Sequence, residues 1–334
     1  MNIVTLTKQL IEIESITGNE QNITGFVASY LEKIGFQVDL QEVNQGRQNI
    51  YARKGEPLIV ISTHLDTVAP YIHYREEEKF IFGRGACDTK GIMAAQILAA
   101  ERLLSEGVSD FGLLFVVGEE GPSDGAIAAN TLINRCQFLI NGEPTDNMLA
   151  SGSKGSLHVK LSATGKSAHS AYPEQGESAI WKLLDVLNDI RSYAFPNHSL
   201  LGETTVNVGV ISGGIQGNII PPTAEAQIMC RVVTNVAEIK RIMEKIVNER
   251  VNIDFGLSNE PVFMETPEGF ETTTVSFTTD IPKLSNWGRP LLFGPGSILD
   301  AHTDHEKINK SEQNEAVELY YKLAKQLMKK ATGG

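Results

Sequence analysis

The sequence predicts an α/β fold: a mostly parallel sheet flanked by helices, interrupted by an inserted α+β domain. Three observations point there. Short, continuously apolar runs alternate with helix-patterned stretches in the first half of the chain. In the middle the pattern changes to apolar–polar alternation, the mark of strands with one solvated face. Strand-and-turn chemistry then resumes ahead of a final helix. At 334 residues the chain is long for one domain and has material for two cores.

Taken in order, Leu6 to Ile34 reads helical, broken by Ser15-Ile-Thr-Gly-Asn-Glu20. Pro57–Thr63 is a short apolar run, as in a strand buried on both faces. Gly91–Leu104 is rich in Ala and Leu and should be a helix. A strand at Gly112–Val117, a helix near Asp124–Asn134 and a strand at Cys136–Ile140 follow. That alternation predicts parallel strands joined by right-handed crossovers. Next, Leu157–Ala163 alternates, a helix spans about Ser178–Tyr193, and strands are expected at Thr204–Ile211 and Ala224–Val233. An amphipathic helix near Asn235–Arg250 and a strand near Val251–Gly256 complete a β-α-β-β-α-β unit of the ferredoxin-like kind. Arg289–Gly296 returns to strand and turn, and a helix at about Glu312–Lys329 closes the chain. The expected domains are 1–152 with 264–334, and an insertion at 153–263.

Composition excludes several classes. The formal charge is 29 − 41 = −12, and no basic run offers a nucleic-acid face. No apolar run approaches the ~18 residues of a membrane span, and the N-terminus lacks the regions of a signal peptide. Cys87, Cys136 and Cys230 are odd in number and without C-x-x-C spacing. That argues against a disulfide framework and for a reducing, cytoplasmic setting.

The informative pattern lies just after the apolar runs. His64-Leu-Asp66 follows Pro57–Thr63, and Asp88 follows the Phe80-Ile-Phe segment. Glu119 and Glu120 follow Gly112–Val117, Glu143 follows Cys136–Ile140, and His302 lies beyond Pro290–Phe293. Ligands of open parallel sheets bind at the carboxyl ends of the strands. Two His, two Asp and three Glu brought to one edge would repel one another unless positive charge sat among them. Two divalent metals supply it. Imidazole nitrogen and carboxylate oxygen suit zinc, and one carboxylate can bridge two ions. Asp66, two residues from His64, is placed to orient its imidazole.

Ser62-Thr-His-Leu-Asp-Thr-Val68, Gly83-Arg-Gly-Ala-Cys-Asp-Thr-Lys-Gly91, Gly118-Glu-Glu-Gly121, Gly142-Glu-Pro-Thr145 and Ala301-His302 resemble the co-catalytic di-zinc aminoacylase and carboxypeptidase family. Acetylornithine deacetylase and succinyl-diaminopimelate desuccinylase belong to it. The resemblance spans almost the whole chain. It implies a zinc-exopeptidase-like catalytic domain and an inserted lid that also dimerises. Asp88 would bridge two zinc ions, which cobalt or manganese could replace. His64 and Glu143 would complete one site, and Glu120 and His302 the other. Asp66 would hold His64, and the peptide bond after Asp88 would be cis. Glu119 would be the general base, taking a proton from zinc-bound water and passing it to the leaving amine.

The inserted domain carries Gly165-Lys-Ser, but a P-loop needs Gly at position 160, which is Lys. The resemblance assigns His169 instead to the oxyanion, reaching from a partner subunit. It assigns Asn218 and Arg231 to the substrate α-carboxylate. The Gly294-Pro-Gly296-Ser297 loop, read by itself, offers backbone N–H groups to the same carboxylate. Cys87 is expected to be buried and His305 to be no ligand; His73, His158 and His198 are expected at the surface. The implied activity is hydrolysis of an N-acyl amino acid, in amino-acid biosynthesis, by a homodimer. A di- or tripeptidase is the alternative, and a non-catalytic binding protein fits less well because every ligand and the base are retained. Glu at 143, where some peptidase branches carry Asp, leans towards the deacylases.

Overall fold

The structure is a computed structural model and describes residues 2–44 and 46–333. It divides into two compact units, one of residues 1–151, 264–273 and 279–334, the other of 152–263 and 274–278.

In the first unit, helices α1 (Ile3–Ile11) and α2 (Gln21–Lys33) are separated by the predicted break. Strands β1 (Gln37–Asn44) and β2 (Arg47–Lys54) form a hairpin that the sequence reading lacks. Strands β3 (Ile59–His64), β4 (Phe111–Val116) and β5 (Phe138–Asn141) are buried at every position. Their crossovers are helix α3 (Lys90–Ser105) and the short helix α4 (Asp124–Ala129). Strand β6 (Leu149–Ser153) leads out of the unit, which is completed by Arg289–Leu292 and the helix Lys310–Ala331. The order is β1-β2-β4-β3-β5-(Arg289–Leu292)-β6. The four central strands are parallel, and the flanking strands pair antiparallel. The sheet is therefore mixed, with a parallel heart.

The missed hairpin has a physical reason. β2 carries Arg47 and Asn49 at buried positions, which reads as loop. Arg47 is satisfied by Glu20, through Nε at 2.9 Å and Nη2 at 2.7 Å, and by Asp124 at 2.6 Å. The Asn49 side-chain oxygen accepts from Val117 N at 3.0 Å. A second correction concerns Phe80–Phe82. It lies outside the main sheet, in a small one with Arg75–Glu76 and Lys307–Asn309. Asp88 thus sits on the turn that enters α3 rather than at a strand end of the main sheet.

The second unit is a four-stranded antiparallel sheet ordered Thr205–Gly213, Thr223–Val232, Gly155–Thr164, Asn252–Asn259. In chain numbering that is 2-3-1-4, the ferredoxin-like order. The alternation of Gly155–Thr164 puts Leu157, Val159 and Leu161 inward, against Leu183 and Val186 of the helix Ala179–Ser192 and Ile239 and Met243 of the helix Val236–Val247. His158 and Lys160 face water, and Lys160 pairs with Glu225 at 3.0 Å. The edge strand Thr205–Gly213 leaves Val208, Val210 and Ile211 exposed.

Candidate metal centre

The central parallel strands end on one edge, and there the seven predicted side chains of the first unit meet. His64 ends β3; Glu119 and Glu120 follow β4; Glu143 follows β5. Asp88 comes from the turn into α3, across a cis peptide bond to Thr89. His302 comes from the loop beyond Leu292, with φ 62°. Two groups offer ligand atoms that all lie within 4.8 Å of one another: His64, Asp88 and Glu143 in one, Asp88, Glu120 and His302 in the other. Asp88 belongs to both. Its Oδ1 is 3.1 Å from His64 Nε2 and its Oδ2 is 3.3 Å from His302 Nε2. His302 Nε2 lies 2.8 Å from Glu120 Oε1. Glu119 belongs to neither group.

Asp66 reaches His64 mainly through its backbone. His64 Nδ1 meets the backbone carbonyl of Asp66 at 2.9 Å, while the carboxylate stands 3.5 Å away. With Nδ1–H donating to that carbonyl, the Nε2 lone pair faces Asp88. The Asp66 carboxylate instead accepts from Glu119 N and Glu120 N, each at 3.1 Å, and from Thr17 Oγ1 at 2.8 Å. One residue thereby orients the imidazole and the turn carrying both glutamates. Gly118 makes that turn possible. Its φ is +75°, and a Cβ there would collide with Asp124 Oδ1 and Arg47 Nη2.

The electrostatics are those of a centre built for cations. Burial and the neighbouring Glu143 push the Glu119 carboxyl well up, and burial raises Glu143 as well. Burial opposes protonation of His64, but Asp66 and Asp88 outweigh it and raise its pKa. Asp88 and Glu120 push His302 up to about 10. The residues fit a metal pair on an observation of their own: Glu143 Oε1 is buried with no hydrogen-bond partner. A buried carboxylate oxygen left bare costs free energy unless something positive meets it. Imidazole nitrogen and carboxylate oxygen are donors for zinc and its transition-metal neighbours.

Sequence reasoning missed several groups. Glu306 accepts from Cys87 N and Asp88 N, and pairs with buried Arg84. Asp280 is buried beside Ser123, and burial pushes it to about 7, within the field of His64 and Asp66. Lys90 is buried, donates to Ile13 O at 2.6 Å and is lowered by burial to about 7. Glu306 had a signal, a charge four residues past His302; Asp280 sits in irregular chain with none. The Gly296 assignment needs correction, since its N–H already donates to Glu312 Oε1 at 2.7 Å and is not free for a substrate. Cys87 is buried, and His73, His158 and His305 are exposed. His198 is half-buried rather than at the surface, stacked on Phe263.

In the second unit the segments bearing His169 and Asn218 run side by side. Ser170 N donates to Asn218 O at 3.0 Å, and Ile220 N to Ala168 O at 2.9 Å. Ala171 N donates to His169 Nδ1 at 3.1 Å, which leaves the ring proton on Nε2. Arg231, on Thr223–Val232, is half-buried, and its side chain makes no hydrogen bond or ion pair among the described residues; burial lowers its pKa.

A peptidase M20 domain-containing protein of Schizosaccharomyces pombe is 39% identical over 96% of this chain and 84% of its own length. This chain belongs to the M20 peptidase family. Residues 151–253 match the family model described as the peptidase dimerisation domain. A probable carboxypeptidase of Emericella nidulans is 36% identical, covering 96% of this chain and 88% of the relative. Among solved structures, a tripeptidase from Staphylococcus aureus shares the fold with TM-score 0.79 at 18% identity, over 96% of each chain. A Bacillus subtilis protein described as a dinuclear metal-binding peptidase of the M20 family shares it with TM-score 0.69 at 14% identity, again over 96% of each. The chain is thus a hydrolase of a metallopeptidase family, with candidate ligands for two metal ions. No helix among the described residues is long and apolar enough to cross a membrane.

Proposed function

We propose that this chain is a two-zinc exopeptidase that hydrolyses the amide bond next to a free α-carboxylate, with a di- or tripeptide as substrate and an amino acid as the released amine. The observation that carries the reading is the shared Asp88, with Glu119 left outside both ligand groups. His64, Asp88 and Glu143 would hold one ion, and Asp88, Glu120 and His302 the other. Bound there, the ions would polarise the scissile carbonyl and acidify water. Glu119 accepts the proton of the attacking water and delivers it to the leaving nitrogen. Asp66 keeps Glu119 on the correct side of the centre by holding its backbone N–H.

Arg231, a half-buried guanidinium with no partner among the described residues, supports recognition of a carboxylate, with Asn218 beside it in the reading. His169 would donate from Nε2 to the developing oxyanion. Catalysis by a homodimer is part of the proposal, supported by the dimerisation-domain match and by the exposed apolar edge strand Thr205–Gly213. So is a cytoplasmic location, supported by three free thiols. The name of the Emericella relative, probable carboxypeptidase, favours peptides. Glu143 favours the second reading, an N-acyl amino acid deacylase, which keeps the reaction and changes only the acyl group. The test is a panel of dipeptides, tripeptides, their C-terminal amides, and N-acetyl, N-succinyl and N-formyl amino acids, assayed with zinc. Free acids should be cleaved and amides not. Faster turnover of acyl amino acids than of peptides would select the deacylase; equal rates on acids and amides would remove the carboxylate requirement.

A further inference from the structure

Glu306 and Arg84 form an ion pair beneath the centre, and each side chain is about 1% exposed or less. Glu306 Oε2 takes Arg84 Nη1 at 2.7 Å. Its other oxygen, Oε1, accepts two consecutive backbone N–H groups, those of Cys87 and Asp88, each at 3.1 Å. Arg84 is itself held, donating to the Pro70 carbonyl at 3.1 Å and the Thr303 carbonyl at 3.2 Å. Burying a carboxylate this near the acidic centre is unfavourable: desolvation and Asp88 both raise its pKa, and Arg84 opposes them. A buried pair of this kind is weak evidence for stability, since apolar residues of similar volume often do as well. Its contacts point to orientation instead.

We propose that Glu306 is the positioning residue for the bridging ligand, Asp88, and that it couples the two metal sites. The proposal rests on the two-metal reading above. Asp88 reaches both groups only if its two oxygens face opposite imidazoles, His64 at 3.1 Å and His302 at 3.3 Å. That requires its backbone to be held in one orientation, and the Cys87 and Asp88 N–H groups are the handles. Glu306 grips both with one oxygen, while Arg84 fixes the other. Glu306 also lies four residues beyond His302 on the same loop. One loop therefore delivers a ligand to one site and aims the ligand common to both.

The consequence separates this role from a structural one. Loss of an ordinary ligand weakens its own ion. Loss of the residue that aims the bridge weakens both ions together, by the 10- to 100-fold typical of outer partners of metal ligands. The experiment titrates Zn2+ into metal-free wild type, H302A, E306A and E306Q against a chromophoric chelator, with Co2+ absorption as a second readout of each site. Wild type should take two ions. H302A should weaken one, and E306A should weaken both by similar factors. E306A and E306Q both leave Arg84 as an unpaired buried cation, so the two are also compared in the R84M background. There E306Q should recover most of the loss shown by E306A, because its amide oxygen still accepts the two N–H groups and no cation faces its NH2. Weakening of only the ion lost in H302A would overturn the proposal, as would unchanged affinities with a lowered melting temperature, or R84M/E306Q as impaired as R84M/E306A. Wild type binding fewer than two ions would instead sink the two-metal reading itself.

Discussion

Replacing Glu119 and Glu120 by Gln, one at a time, should separate the base from the ligand. Glu120 Oε1 lies 2.8 Å from His302 Nε2 and is one of three side chains in the second group. Glu120→Gln replaces one of that group's three ligands by a neutral amide oxygen, a much weaker donor, so that site should lose its ion on dialysis while the first keeps its own. Glu119 is in neither group, so Glu119→Gln should retain both ions. Its cost falls on the proton transfer, where a positioned base contributes roughly 10² to 10⁴ in rate, or about 2.7–5.5 kcal/mol of barrier. The ion-free protein offers a second reading. Burial and Glu143 push the Glu119 carboxyl up, so folding works against its charge. A neutral Gln removes it, and metal-free Glu119→Gln should unfold at no lower temperature than metal-free wild type. Metal content after dialysis, kcat at saturating zinc and melting of the stripped proteins are the measurements. A Glu119→Gln protein that loses an ion while Glu120→Gln keeps two would reverse the assignment. One within tenfold of wild-type kcat would end the case for a general base.

Arg231→Ala should act mainly on KM, raising it roughly 10- to 100-fold, the worth of a hydrogen bond to a charged group; a pure kcat loss would contradict the carboxylate role. If His169 serves the neighbouring subunit, inactive Glu119→Ala and His169→Ala dimers, mixed and re-assorted, should regain about a quarter of wild-type activity, since half the dimers are mixed and half their sites intact. A Glu119→Ala and Asp88→Ala mixture should regain none, and a His169 mixture equally inactive after proven exchange would refute action in trans. The metal-free protein should lose stability as pH rises. Glu119 and Glu143 are raised above 4.5 and His302 is raised from 6.5 to about 10, so the folded state holds more protons than the unfolded one. Their contribution is whole at the acid end. It fades above about 4.5 for the carboxyls and between 6.5 and about 10 for His302. Asp66 and Asp88 have the opposite sign but act below 3.8, and Lys90, lowered from 10.5 to about 7, offsets His302 above pH 7. The net loss therefore falls between about pH 4.5 and 7, and denaturant melts across that range, with and without zinc, check it; stability that climbs from pH 4.5 to 7 without metal would refute it.

The amino-acid order alone determined the parallel heart of the sheet, the inserted unit and which side chains gather at the strand ends. The reason is that periodicity is local: six to ten residues reveal whether a strand is buried on one face or two, and the residues next in line must emerge at its end. His64, Glu119, Glu120 and Glu143 were legible for that reason. Asp88 and His302 were gathered by the same pattern although neither follows a strand of the main sheet directly: Asp88 enters from the turn before a helix and His302 from a loop. What the sequence could not carry is partnership across distance. Arg47 reads as a loop residue because its partners, Glu20 and Asp124, lie 27 and 77 positions away. Glu306 reads as an ordinary surface charge until the fold sets it against the backbone of Asp88, 218 positions earlier. Asp66 was placed beside the imidazole by sequence, and the tertiary structure adds that its carboxylate also grips the Glu119–Glu120 turn. The Gly296 N–H was spent on Glu312 by a helix packed nearby. Buried charges and backbone donors are decided by whichever partner the fold delivers within about 3 Å, and hydrophobic patterning contains no record of that choice.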